Sequence, residues 1–203
     1  DNIGLCQALS SGFPVLPIFI FDKFILDALE NKEDRRVDYI HQALSAINSG
    51  LKKHQSKLNT FYGEPLDIFQ QLSEKYDIQA VFCNRDYEPQ AIKRDTKIYN
   101  FFKTQNISFK AFKDQVIFDK KDVVKVDGTL YTVYTPYSKK WKEKLTEKEY
   151  RSFPIDFTNF FKQDFSEIHS LETIGFAKTD IRFEIPKLDA TIIDDYDKFR
   201  DFP

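Results

Sequence analysis

The sequence predicts an α/β fold in which a doubly wound parallel sheet carries helices on both faces and is followed by a long irregular linker. Short apolar runs alternate with helical stripes from residue 13 to about residue 112. Strands and helices that alternate in this order require right-handed crossovers, which place helices on both faces of a parallel sheet. The apolar fraction of 41% in 203 residues is sufficient for such a core. We therefore expect a Rossmann-like sheet.

The strands are predicted from four short runs that are rich in β-branched and aromatic residues. Runs of this length and composition are typical of parallel strands buried on both faces. The sequences are FPVLPIFIFD (Phe13 to Asp22), LNTFYG (Leu58 to Gly63), AVFCN (Ala80 to Asn84) and ISFKAF (Ile107 to Phe112).

The helices are predicted from apolar residues that recur every three or four positions between those runs. Asp34 is positioned to cap the first helix, and Pro65 and Pro89 open the next two. The predicted inward residues are Val37, Ile40, Leu44, Ile47 and Leu51, then Leu66, Phe69, Leu72 and Tyr76, then Ala91, Ile92, Ile98, Tyr99 and Phe102.

A further helical pattern occupies residues 2–10, before the first visible strand. A helix at this place in the alternation follows a strand, and a parallel sheet with four visible strands normally has a fifth. We therefore expect a five-stranded sheet whose first strand lies upstream of Asp1.

The pattern changes beyond residue 112. Two alternating runs within residues 123–137 flank Asp127-Gly128, which predicts a β-hairpin. From about residue 146 to residue 194 the chain is Phe-rich but irregular, which indicates a connector on a domain surface rather than an independent core. The predicted division is an α/β domain (1–137), a linker (138–194) and a carboxy-terminal segment (195–203).

Composition argues against several classes of protein. A net charge of −2 and a pI near 6.0 disfavour nucleic-acid binding by bulk positive charge, although they allow a local patch. No apolar run is long enough for a membrane span and no signal-peptide pattern is present, so we expect a cytoplasmic protein. Cys6 and Cys83 lack CxxC spacing and are interpreted as small core residues. The histidines are too far apart to predict a metal site.

The segment NRDYEPQAIKRD (Asn84 to Asp95) follows a predicted strand and carries more acidic residues than a helix start needs. One interpretation is local: Glu88 is the N-cap before Pro89, and Asp86 favours the positive end of the helix. The other interpretation is functional, because ligands of doubly wound sheets bind beyond the carboxyl ends of the strands. Two carboxylates at this edge suit a polar heteroaromatic ligand better than a phosphate.

Six segments, in this order, resemble the amino-terminal domain of the DNA photolyase and cryptochrome family. They are PVLPIFIFD, DRRVDYIHQAL, GEPLDIFQQL, CNRDYEPQAIKRD, FKDQVIF and YTVYTPYSKKW. The resemblance covers about residues 1–145, and DYDKFRDFP (Asp195 to Pro203) is similar to the family's Y-x-x-x-R-[DN]-F-P. It implies that the expected upstream strand is the family's first strand and that a helical FAD domain follows Pro203.

The resemblance implies a deoxyribodipyrimidine photo-lyase as the parent protein. Family photolyases use light and reduced FAD to split pyrimidine dimers in UV-damaged DNA, with the lesion flipped out of the helix. Both FAD and damaged DNA would bind the domain beyond Pro203. Tyr196 matches a family tyrosine near the flavin but alone cannot hold FAD. We therefore expect this chain by itself to be noncatalytic.

The family's amino-terminal domain commonly holds a second, light-harvesting antenna chromophore. NRDYEP resembles the N-[QR]-D-x-E-P form of deazaflavin-type relatives, which implies that Asp86 and Glu88 contact the chromophore. Arg36 is a weaker candidate for a basic contact, and Asp22 is a candidate by position only. The folate-binding pattern has an acidic residue at the position of Ala91, so a deazaflavin-type chromophore or a flavin nucleotide is favoured over folate.

Two other functions remain open at this stage. A cryptochrome photoreceptor without repair activity would share this domain, and a nucleotide-binding α/β module would share the fold. The lysines around Trp141 are interpreted as a solvated face rather than a DNA contact, because glutamates lie among them. Tyr137 and Trp141 are interpreted as interdomain packing. No obligate protein partner is inferred.

Overall fold

The computed structural model describes residues 2–182 and 189–200 of the chain. Over these residues it contains four strands and nine α-helices, none of which is long and apolar enough to cross a membrane. The strands are β1 (Ile18–Asp22), β2 (Asn59–Gly63), β3 (Ala80–Asn84) and β4 (Ser108–Phe112). The helices are α1 (Ile3–Leu9), α2 (Lys23–Leu26), α3 (Arg35–Lys52), α4 (Pro65–Lys75), α5 (Pro89–Thr104), α6 (Tyr134–Lys144), α7 (Glu147–Tyr150), α8 (Ala190–Asp194) and α9 (Tyr196–Phe199).

The strands form two parallel pairs. β1 pairs with β2 from Ile18 opposite Asn59 to Asp22 opposite Gly63. β3 pairs with β4 over their full lengths, with Ala80 opposite Ser108. Among the described residues no ladder joins β1 to β3. The predicted α/β fold with parallel strands is therefore confirmed, whereas the fifth strand is not seen in the described part of the chain.

The helices form two layers with separate buried groups. α4 packs against β1, β2 and α5, and α5 packs against β4. In this layer Phe102 is fully buried, and its ring lies 5.3 Å from that of Phe69 and 6.5 Å from that of Phe109. These contacts fix α5 over β4. As a result, the amino end of α5 lies at the carboxyl edge of β3.

The second layer is formed by α3. The larger core lies between α3, β1 and a segment of the linker. Phe21 of β1 and Val37, Leu44 and Leu51 of α3 are buried in it. We call residues 155–181 the strap, because this part of the linker runs along α3 and adds side chains to the same core. The buried strap residues are Phe160, Ile168, Leu171, Ile174 and Phe176.

Polar side chains of α3 hold the backbone of the strap. Asn48 is fully buried; its Nδ2 donates to the carbonyl of Ser166 at 3.0 Å, and its Oδ1 accepts from the amide of Leu58 at 2.8 Å. The Oδ2 of buried Asp38 accepts from the amide and the hydroxyl of Thr179, each at 2.7 Å. Because these groups are buried, losing one partner would strand the other without a hydrogen bond.

Part of the predicted helix stripes is wrong. Ile40 and Ile47 of α3 and Ile92 and Tyr99 of α5 were expected to face inward, yet each is between 44% and 54% exposed. These residues lie at the edges of their apolar stripes. A periodic pattern marks the direction of a buried face but not its width, which depends on how many neighbouring elements cover it.

The predicted hairpin at residues 123–137 is also wrong. Asp127 and Gly128 do form a turn, in which Gly128 has φ +80° and the amide of Lys125 donates to the carbonyl of Thr129. No strand flanks this turn in the described chain, and α6 begins at Tyr134. The turn chemistry was identified correctly, but the alternating residues on either side have no partner strand to pair with.

Candidate functional site

The candidate site lies at the carboxyl edge of the strands. β1 ends at Asp22 and β3 ends at Asn84, and α5 begins shortly after β3. In parallel sheets the carboxyl ends of the strands and the amino ends of the following helices meet at the same edge. The strand ends therefore place Asp22 at the carboxyl edge of the β1–β2 pair, and Asp86 and Glu88 at the carboxyl edge of the β3–β4 pair.

Asp86 closes the loop between β3 and α5. One oxygen of its carboxylate accepts hydrogen bonds from the amides of Tyr87, at 2.6 Å, and Glu88, at 3.1 Å. Glu88 is the N-cap residue of α5 by position, but its side chain makes no capping hydrogen bond and is exposed. The local interpretation is therefore wrong for Glu88 as a side-chain cap, whereas the favourable placement of Asp86 at the positive end of the helix stays a prediction.

Asn84 anchors the start of this loop to α1. Its Oδ1 accepts from the amide of Gly4 at 2.9 Å, and its Nδ2 donates to Asp114 at 2.7 Å. The other oxygen of Asp114 accepts from the amide of Ile3 at 3.3 Å. The amino end of α1 is thus tied to the ends of β3 and β4. These bonds fix where the Asn84–Glu88 loop leaves the sheet.

Arg85 anchors the loop on its other side. Its guanidinium forms a salt bridge with Asp119, a buried residue, and its amide donates to the carbonyl of Phe112 at 2.7 Å. The hydroxyl of Tyr87 and the Oδ1 of Asp119 are both buried without a hydrogen-bond partner. Burial and the charge of Asp119 raise the pKa of Tyr87. No local sequence pattern predicts this cluster, because Asp119 lies more than thirty residues from the loop.

Arg36 and Asp22 make local contacts. The guanidinium of Arg36 forms a salt bridge with Asp34 at 2.6 Å, and the hydrogen bond from Arg36 lowers the pKa of Asp34 to about 2. Asp34 also caps α3, as predicted. Asp22 caps α2 by accepting from the amide of Phe24 at 2.9 Å. Both candidates thus already have partners within the chain, and their role toward a ligand remains a prediction.

Tyr196 lies in α9 and is 62% exposed. Its predicted place near a flavin stays a prediction, and the end of the motif, residues 201–203, lies outside the described residues. Within the described chain, no group of three or more His, Cys, Asp or Glu side chains is arranged to hold a metal ion.

Cys83 lies in β3 and is half-buried, while Cys6 in α1 is buried. Burial raises the pKa of the Cys83 thiol to about 11. A thiol with such a pKa is a poor nucleophile at neutral pH. This agrees with the interpretation of both cysteines as core residues rather than as part of a site.

The sequence matches the family model described as DNA photolyase over residues 1–154. The chain is 26% identical to the deoxyribodipyrimidine photo-lyase of Synechococcus sp. over 100% of its own length and 45% of that protein. It is 31% identical to the photo-lyase of Alkalihalophilus pseudofirmus over 51% of its length and 22% of that protein. Cryptochrome-1 of Drosophila melanogaster is 28% identical over 63% of the chain and 24% of that protein. The chain thus spans less than half the length of these relatives.

Two solved structures share the fold. The class III photolyase of Agrobacterium tumefaciens superposes with a TM-score of 0.71 over 98% of this chain and 38% of that one, at 20% identity. The archaeal photolyase of Sulfolobus tokodaii superposes with a TM-score of 0.58 over 90% of this chain and 40% of that one, at 23% identity. The latter was solved with two FAD molecules and implicates a novel light-harvesting cofactor.

Proposed function

The chain belongs to the DNA photolyase family, and from this premise we propose that its α/β domain binds an antenna chromophore at the carboxyl edge of β1 and β3. The bound chromophore would absorb light and pass excitation energy to a catalytic flavin. The observation that carries the proposal is that the Glu88 side chain is exposed and makes no capping hydrogen bond. Its carboxylate lies at the amino end of α5, is exposed and does not cap the helix, so it is available to accept a hydrogen bond from a ligand.

The surroundings of Glu88 suit a planar heteroaromatic ligand. Such ligands need apolar surface together with a few fixed polar groups. Phe24 and Ile25, which follow Asp22 at the carboxyl end of β1, are 56% and 53% exposed and would supply apolar surface. Asp86 and Asn84 hold the loop in place from within the fold. A deazaflavin-type chromophore or a flavin nucleotide is favoured over folate, because Ala91 stands where the folate pattern has an acidic residue.

The proposal assigns repair chemistry to protein outside this chain. The relatives are more than twice as long as the segment they share with it. FAD and UV-damaged DNA would therefore bind the remaining part of a photo-lyase, and the chain alone would be noncatalytic. Dimer repair by the chain alone under blue light would contradict this part.

The test is a titration of the purified chain with an 8-hydroxy-5-deazaflavin, FMN, FAD and methenyltetrahydrofolate, followed by quenching of each ligand's fluorescence. We expect the deazaflavin or a flavin nucleotide to bind, and Glu88→Gln to weaken binding roughly tenfold through loss of a charged hydrogen bond. Glu74→Gln, at an exposed position of α4, is the control and should leave binding unchanged. Equal affinity of the Glu88→Gln variant would reject the assignment of the site.

A cryptochrome role is the second candidate, because Cryptochrome-1 of Drosophila melanogaster is among the relatives. Both functions would use the same antenna domain. Repair of a pyrimidine dimer by a protein that contains this chain and its flavin domain would support the photo-lyase. Flavin photoreduction without repair would support the photoreceptor.

A further inference from the structure

β1 and β3 each have one edge without a partner strand in the described chain. β1 pairs with β2, and β3 pairs with β4, but no ladder joins the two pairs within these residues. Of the ten residues in β1 and β3, only Phe21 is buried. Strands of a parallel sheet that helices cover on both faces are normally buried. The open edges explain why these two apolar strands stay half-buried.

The open edge of β1 is defined by the hydrogen bonds on its paired edge. The amide of Asn59 in β2 donates to the carbonyl of Pro17 at 2.9 Å, and Ile18 lies opposite Asn59. Successive residues of a strand direct their backbone groups to alternate edges. Since Pro17 faces β2, the amides and carbonyls of Ile18, Ile20 and Asp22 face away from it.

The open edge of β3 follows in the same way. The amide of Arg85 donates to the carbonyl of Phe112 in β4 at 2.7 Å, and Asn84 lies opposite Phe112. Because Arg85 faces β4, the alternation turns the backbone groups of Ala80, Phe82 and Asn84 toward the other edge. Each open edge thus presents a regular row of backbone donors and acceptors.

The helices determine which edges face each other. The connection from β1 to β2 contains α3, and Leu9 of α1 is buried in the same core as Val37 of α3, so α1 and α3 cover one face. The connections from β2 to β3 and from β3 to β4 contain α4 and α5, which form the other layer. Right-handed crossovers on opposite faces run in opposite directions across a sheet. The open edges of β1 and β3 therefore face each other.

We call the space between these two edges the slot. α1 covers one face of the slot, because it packs against β3 while Leu9 reaches the core that contains Phe21 of β1. An α-helix is about 10 Å across, and neighbouring strands lie about 4.8 Å apart. A helix that touches both pairs therefore spans about two strand spacings, which is the width that one extended chain fills.

We propose that the slot binds one extended apolar peptide, supplied by a separate molecule, as a fifth strand between β1 and β3. Addition of a strand through main-chain hydrogen bonds is a general mode of peptide recognition. The peptide must be apolar on both sides, because helices cover both faces of the sheet. The sequence predicts a strand before α1, and the crossover rule would place that strand in the same slot. The open backbone groups recognise an extended chain whether or not it is joined to α1.

A second copy of the chain fits the slot poorly. The helices on both faces leave entry for a single extended segment, whereas a second copy would bring a folded sheet edge with its own helices. The occupant is therefore a peptide rather than another copy. The inference goes beyond chromophore binding and does not rest on it.

The test measures fluorescence anisotropy of a labelled synthetic peptide with the full chain. The probe is Val-Ile-Val-Val-Phe flanked by lysines for solubility, and its five apolar residues match the lengths of β1 and β3. In the control peptide, Val-Ile-Pro-Val-Phe, proline removes an N–H group and is not tolerated in a central strand. We expect saturable binding of the probe and at least tenfold weaker binding of the control peptide.

Ala80→Pro tests the wall of the slot. Ala80 is the first residue of β3, where proline is tolerated, and its amide faces the slot. The change should weaken binding of the probe roughly threefold to tenfold through loss of one hydrogen bond. Ala111→Pro is the matched control, because Ala111 precedes Phe112 in β4 and its amide faces the outer edge of that strand. It should leave binding unchanged, and circular dichroism should show that both variants fold.

Amide hydrogen exchange of the native chain provides a readout that needs no variant. Bound probe should slow exchange at Ile20 and Phe82 at least tenfold and leave Ala111 unchanged. Absence of saturable binding, equal binding of the proline peptide, or native affinity of Ala80→Pro would each overturn the proposal. Protection of Ala111 in place of Phe82 would overturn it too, because the peptide would then lie on the outer edge of β4. So would a peptide-free dimer that protects Ile20 and Phe82, since the slot would then be a contact between two copies.

Discussion

The Oδ1 of Asn84 accepts a hydrogen bond from the amide of Gly4 at 2.9 Å. This contact joins the end of β3 to the beginning of α1, and it leaves no room for a side chain at position 4. A Cβ atom on Gly4 would lie 2.8 Å from that oxygen and 3.1 Å from the carbonyl carbon of Cys83. Because the clashing atom of Cys83 belongs to the backbone of β3, it cannot move aside as a flexible side chain could.

Gly4→Ala should therefore destabilise the chain by about 1–3 kcal/mol, because overpacking outweighs the better helix propensity of alanine. The matched control is Gly50→Ala in α3, where a Cβ atom would meet nothing within 4 Å. That change should raise the free energy of unfolding by about 0.5–1 kcal/mol. Urea unfolding followed by circular dichroism measures both. Stabilisation of the chain by Gly4→Ala would show that α1 does not dock on β3 as described.

Asn48→Ala should cost about 2–5 kcal/mol in the free energy of unfolding. The change removes a buried side chain that bonds two backbone groups, and it leaves the Ser166 carbonyl and the Leu58 amide without these hydrogen bonds. Asn100→Ala, at an exposed position of α5, is the control and should change stability little. An equal effect of the two substitutions in urea unfolding would argue against the docking of the strap on α3.

Asp38 should make the free energy of unfolding depend on pH. Burial alone would raise its pKa, but hydrogen bonds from Gln42 and Thr179 outweigh burial and lower the pKa below 3.8. A carboxyl with a lowered pKa stabilises the folded state fully above its unfolded pKa, and this contribution is lost as the pH falls through the folded value. Native chain and Asp38→Asn should therefore differ by about 1–3 kcal/mol at neutral pH, and the difference should shrink below pH 3.8. A difference that is constant with pH in urea unfolding would reject this role.

Cys83 should react slowly with a thiol reagent while the chain is folded. A pKa of about 11 in place of 9.0 lowers the thiolate fraction near pH 8 about hundredfold. The measurement is the rate of Ellman's reaction on a Cys6→Ala variant, which isolates the second thiol. In urea the rate should rise to that of an exposed cysteine. A fast reaction in the native state would show that β3 opens or that the thiol is less buried than described.

The sequence predicted the elements that depend on local patterns. β3 was predicted with both of its ends, and Asp34 was identified as the cap of α3, because apolar runs and capping residues act within a few positions. The predicted loop residues Asp86 and Glu88 do lie at a sheet edge. The salt bridge between Arg85 and Asp119 was not predictable, since a sequence pattern does not reveal which distant carboxylate a loop arginine meets.

The linker shows the same limit. Its irregular pattern was interpreted as a surface connector. The assignment of residues 138–194 as an interdomain linker remains a prediction. Yet Phe160 and Ile174 are buried against α3. No helical or alternating period marks such residues, because an irregular chain buries side chains wherever its path happens to approach the core.

The bonds between α3 and the strap are mostly aimed at main-chain atoms. Asn48 donates to the carbonyl of Ser166 and Gln42 to that of Ile181, while Ser56, just beyond α3, donates to that of Phe161. Every residue type has a backbone carbonyl. The attachment of the strap therefore depends on the side chains in and around α3 rather than on the side chains of the strap. The strap can therefore accumulate substitutions at its outward positions and keep these bonds, whereas a change at Asn48 removes one of them whatever the strap sequence is.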